Sequence, residues 1–195
     1  MNEEEPDVGL FGGWIVLYSR LLGEGRVDGS SSDDMWAPVE EWVGGPLPEE
    51  YKTLVERYGD GVIAGHLFVP HPGGYRGLLQ FMQEEREALW ESYEPVKQQL
   101  DPRVVEAWET VVPWAYHDWD GDTCFLLPPA SGDMTEVWNV GIDFRQCPEF
   151  VIFDGGVGEF LRGMLAADEY PRGWPRNRRP AWMPVDDPRL TRPPE

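Results

Sequence analysis

The chain has 195 residues, the size of one domain, and carries 36 Asp+Glu against 16 Lys+Arg, a formal charge of −20 at neutral pH. That balance argues against a nucleic-acid partner and against an anionic membrane surface, since both are bound through Lys and Arg. With 41% hydrophobic residues and ten Trp, the chain still has the material for a folded, aromatic-rich core.

Residues 1–34 read as an N-terminal extension. The apolar run Leu10–Leu22 follows Glu3, Glu4 and Glu5, where a signal peptide would carry positive charge, and Gly12, Gly13 and Arg20 interrupt it. It therefore reads as mature protein, and no stretch approaches the ~18 apolar residues of a spanning helix. A short helix follows, capped by Asp33 or Asp34, with Trp36, Val39 and Val43 on its apolar face and Gly44-Gly45 as its stop. Leu47, Tyr51, Leu54, Val55 and Tyr58 fall at helical spacing behind Pro48 and end at Gly59.

Further helices are expected over 76–93, with Leu78, Met82, Leu89 and Tyr93 on one side, and from Asp101-Pro102, with Val104, Val105, Trp108, Val111 and Val112 inward. Val157, Phe160, Leu161, Met164 and Leu165 form a last apolar stripe. Strands are expected at Val62–Ala64, Leu67–Val69, Trp114–Asp118, Thr123–Leu127, Glu136–Val140 and Glu149–Phe153. Helices first, then a meander, then a closing helix indicate one α+β domain over 35–170. It would have a mainly antiparallel sheet of about five or six strands packed with helices and a helical insertion near 76–112.

Residues 171–195 hold six arginines, three acids and seven prolines, a net +3 that leaves −23 on the first 170 residues. Proline excludes regular helix or central strand there. Trp174 and Trp182 favour a tail that wraps onto its own acidic body.

Few residues suggest catalysis or a cofactor. Asp118, Asp120 and Asp122 alternate as calcium ligands do, but the glycine comes at the fourth position of the loop and Pro129 stands where the bidentate acid belongs. An acidic hairpin around Gly121 is the simpler account, with Trp119 at its tip either folded back or free to anchor an interface. His66, His71 and His117 lack zinc spacing, and Ser30, Ser31 and Ser32 lack a nucleophile elbow. Gly155-Gly156-Val157-Gly158 precedes a helix as a phosphate cradle would, but Glu159 opposes an anion and no Lys-Ser/Thr follows. Cys124 and Cys147 make no disulfide framework, which fits a reduced, cytoplasmic setting.

Several segments in order resemble the SMI1/KNR4, or SUKH, superfamily. Leu47-Pro48-Glu49-Glu50-Tyr51, Leu54 and Arg57-Tyr58-Gly59-Asp60-Gly61 are similar to its opening signature. Pro113-Trp114-Ala115 with Asp120-Gly121-Asp122-Thr123-Cys124-Phe125 resembles its hairpin. Glu136-Val137-Trp138, Phe150–Phe153 and Glu159-Phe160-Leu161 resemble its later strands and closing helix.

The resemblance implies a SUKH-like fold and a non-catalytic protein-binding domain without cofactor or metal. Within that superfamily it implies an immunity protein that neutralises a basic bacterial toxin, such as a nuclease, by binding it; the alternative is a housekeeping regulatory module of the SMI1/KNR4 type. It also implies architectural motif residues, with Leu47, Tyr51 and Leu54 packing, Gly59 and Gly61 allowing a turn and Gly121 closing the hairpin. Clustered carboxylates suit a basic partner, and Asp118, Trp119, Asp120, Asp122, Glu49 and Glu50 are the expected contacts.

Overall fold

A computed structural model describes residues 10–25, 33–117, 121–146, 149–176 and 180–190. The elements run α1 (Leu10–Leu22), α2 (Asp33–Val43), α3 (Glu49–Tyr58), β1 (Gly61–Ile63), β2 (Leu67–Val69) and α4 (Leu78–Tyr93). A 3₁₀ segment (Glu94–Gln99) leads to α5 (Pro102–Glu106), then β3 (Val112–His117), β4 (Thr123–Leu127), β5 (Asn139–Phe144), β6 (Glu149–Phe153), α6 (Val157–Ala166) and β7 (Trp182–Pro184). The strands form one antiparallel sheet in the order β6-β5-β4-β3-β2-β1-β7. The fold is thus α+β, and β7 is a strand that the sequence pattern does not predict.

Alternation along β4 shows how the sheet is covered. Cys124 and Leu126 join a large core with Trp114, Val140, Ile142, Tyr51, Leu54 and Leu161, whereas Phe125 and Leu127 join a second cluster with Leu89, Tyr93, Val104 and Trp108. Every residue of β4 is buried because helices cover both of its faces. The α4–α5 insertion supplies the second cover. Its first half, through Leu78, Phe81 and Met82, also reaches the large core.

Described segments near both ends of the sequence pack into this domain. Tyr18 and Leu22 of α1 are buried in the large core, and the Tyr18 hydroxyl donates to the Glu50 main-chain carbonyl at 3.1 Å. Gly12 and Gly13 weaken the helical signal of this segment, but packing against α3 and α6 overrides it. At the other end β7 extends the sheet beside β1, with Met183 opposite Val62. Pro184 is tolerated because β7 is short and lies at the sheet edge. In the described part of the tail, Trp174 and Met183 are buried.

Three local expectations shift. The helix begun at Pro102 stops at Glu106, and Val112 already belongs to β3. β5 begins at Asn139 rather than Glu136 and runs through Gly141 and Asp143. In the Gly59-Asp60-Gly61 turn, the left-handed residue is Asp60, with φ +49°. Gly61 is needed for space instead, since a Cβ there would overlap the Trp182 indole. Gly121, at φ +73°, does take the left-handed conformation.

Candidate functional site

A cavity of about 450 Å³ lies between α4 and strands β4–β5. Glu85, Ala88, Leu89, Ser92, Tyr93 and Val96 fall at i, i+3, i+4, i+7, i+8 and i+11, so a single helical face, prolonged into the 3₁₀ segment, makes one wall. The opposite wall comes from alternate residues of two paired strands, Thr123 and Phe125 on β4 and Asp143 and Arg145 on or just beyond β5. Thr123 stands directly opposite Asp143 and Phe125 opposite Gly141.

Its polar groups are linked. The Tyr93 hydroxyl donates to Asp143 Oδ1 at 2.6 Å, and the Thr123 hydroxyl donates to Glu85 Oε2 at 2.9 Å. Arg145 Nη2 lies 3.3 Å from the same Glu85 oxygen, and Arg76 reaches Glu85 Oε1 at 3.5 Å. Burial pushes the Asp143 carboxyl above its ordinary value, an effect the Tyr93 hydrogen bond and the Arg145 charge oppose. Sequence patterning misses this site, because a buried Asp inside a strand is explained only by Tyr93, 50 residues away.

Of the expected contact residues, Asp118, Trp119 and Asp120 lie outside the described residues. Glu49 is exposed and pairs with Lys52 at 3.0 Å. Glu50 and Asp122 point inward. Asp122 is 2% exposed and accepts the Arg145 amide at 3.0 Å and the Trp174 indole N–H at 2.9 Å. Glu50 accepts the amides of Val157 and Gly158. The glycine-rich turn before α6 therefore presents its helix N-terminus to the protein's own carboxylate, and the anion position is filled from within.

His66 and His117 are buried beside each other, with ring centroids 4.7 Å apart, and His117 stacks on Trp174 at 4.8 Å. His71 lies in the loop after β2, where its Nδ1 accepts the Gly73 amide. Cys124 is buried, and burial raises its thiol well above the usual value, so it is a core residue and not a poised nucleophile. Among the described residues no group of three or more His, Cys, Asp and Glu side chains could hold a metal, and no helix is long and apolar enough to cross a membrane.

Comparison with protein-family models, with curated proteins and with solved structures finds no match to this chain.

Proposed function

We propose that this chain is a non-catalytic protein-binding domain of the SUKH type, an immunity protein that neutralises a basic toxin domain by binding it. The observation that carries this function is charge: −23 on the first 170 residues, set on a folded body. Exposed Glu84, Glu87, Glu91, Glu94, Glu106 and Glu109 spread that charge over the α4–α5 insertion, beside Arg86, Lys97 and Arg103. Carboxylates arrayed this way speed encounter with a basic surface and disfavour partners of the same sign.

Further support comes from the motif residues, which serve packing rather than chemistry. Leu47, Tyr51 and Leu54 are buried. Contact with the partner is assigned to exposed acids such as Glu49 and those of the insertion, together with Asp118, Trp119 and Asp120 from the acidic sequence that precedes β4. Asp122 and Glu50 are assigned to supporting the fold.

The test is co-expression with the toxin-like product of an adjacent reading frame. Growth rescue with direct, salt-sensitive binding is expected. Absence of both rescue and binding for every adjacent toxin-like product would overturn the proposal.

A further inference from the structure

We propose that the cavity between α4 and strands β4–β5 receives a cationic group on an aliphatic stem, the side chain of an arginine or lysine on the basic protein partner. For the source of that cation the assignment rests on the function proposed above. The cavity, at about 450 Å³, has the size of a ligand site.

Leu89, Val96 and Phe125 give the cavity apolar wall that suits methylene groups. Among them Asp143 is only 8% exposed, with Oδ1 taken by the Tyr93 hydroxyl and no hydrogen bond from a described residue to Oδ2. Arg145 does not fill that role. Its guanidinium reaches Glu85, and its side chain is half exposed at the rim. The Thr123 hydroxyl is likewise engaged by Glu85.

Both guanidiniums near the cavity, Arg145 at its rim and Arg76 beyond its lining, are thus directed at Glu85. An anion would face the Asp143 carboxylate, and a neutral apolar group would leave its Oδ2 desolvated without a donor. A cation adds to the Tyr93 hydrogen bond and the Arg145 charge in offsetting the desolvation that raises the Asp143 carboxyl. An alkyl stem then occupies the apolar wall, which excludes a bare hydrated metal ion as the preferred ligand.

The experiment is a titration of the full chain, followed by amide chemical shifts, with N-acetyl-arginine-N-methylamide and with its uncharged citrulline counterpart. The arginine compound is expected to shift Tyr93, Thr123, Asp143 and Arg145 saturably at millimolar concentration, and the citrulline compound is not. Asp143→Asn, which keeps an acceptor for Tyr93, should weaken the arginine compound roughly ten-fold by removing a charge-assisted contact. Ser92→Trp, at an exposed helix position lining the cavity, should block it while the protein stays folded.

Absence of saturable shifts, equal binding of both compounds, or unchanged affinity in Asp143→Asn would overturn the assignment. A basic partner that binds wild type and Ser92→Trp equally would also overturn it while leaving the proposed function intact. Specific arginine binding with no basic protein partner would overturn the partner as source, and with it the proposed function, and leave the cavity to a free cation.

Discussion

Glu50 Oε2 accepts the main-chain N–H of Gly158 at 3.0 Å, joining α3 to the first turn of α6 across 108 residues of sequence. Its other oxygen accepts Val157 at 3.1 Å, so one carboxylate satisfies two amides that a helix N-terminus leaves unpaired. A Cβ at Gly156 would overlap that carboxylate, and one at Gly158 would overlap the Trp14 ring. Gly158 is therefore fixed by close approach from α1 as well as α3. Glu50→Ala should destabilise the fold by about 2–4 kcal/mol, the combined effect of a lost cap and buried amides without acceptors. Urea denaturation reads this directly, and a loss under about 0.5 kcal/mol, the range of ordinary surface substitutions, would contradict the cap.

Two buried carboxylates give the stability curve a definite sign. Burial raises both Glu50 and Asp143 above their ordinary values in the folded chain; amide hydrogen bonds oppose the shift at Glu50, and Tyr93 and Arg145 oppose it at Asp143. A carboxyl raised by folding holds its proton more tightly in the folded state. Its stabilising contribution is complete below the unfolded value, about 4, and is lost as pH rises through the raised folded value. Asp143→Asn removes one such group while keeping an acceptor for Tyr93. The variant should match or exceed wild type at neutral pH, by up to about 1 kcal/mol, and this margin should shrink as pH falls toward about 4. Denaturation at several pH values checks it, and a margin that widens on acidification would show the sign to be wrong.

Arg86 ties α2 to α4 through aromatic faces. Its guanidinium carbon sits 3.6 Å from the centre of the Trp42 ring and 5.2 Å from that of Trp90, and Nη1 donates to the Glu109 carbonyl at 3.3 Å. A planar, weakly hydrated cation suits this position, and a compact ammonium does not. Arg86→Lys keeps the charge yet should cost about 1 kcal/mol, with altered Trp fluorescence as an independent sign that the stack has opened. An unchanged melting curve and spectrum would show that charge alone matters here.

Periodic patterns made much of this fold legible from sequence. α3 and α6 show their apolar stripes plainly, and β2, β4 and β6 are bounded in the structure as their residues predict. What was hidden depends on distant partners. α1 is held by the core despite Gly12 and Gly13, and β5 contains Gly141 and Asp143, which look like loop residues until Phe150 and Tyr93 are seen beside them. The cavity was illegible for the same reason, since its walls meet only after α4 folds over β4 and β5. Glu50 and Asp122 look like surface acids because nothing local marks Gly158 or Trp174 as their donors.

The last strand yields a test of how the tail serves the body. β7 pairs with β1 through Trp182, Met183 and Pro184, and the Trp182 indole donates to the Tyr58 carbonyl at 2.7 Å while meeting the Tyr58 ring edge-on at 5.5 Å. Without β7, β1 becomes the sheet edge, and its unpaired backbone groups offer a template for pairing with another chain. Truncation after Arg176 should therefore lower stability and promote concentration-dependent association. Trp182→Phe, which keeps the ring contact but loses the donor, should cost about 1 kcal/mol and leave the protein monodisperse relative to wild type. Thermal unfolding with light scattering separates the two, and a truncated chain as stable and as dispersed as wild type would show that β7 is dispensable to the fold.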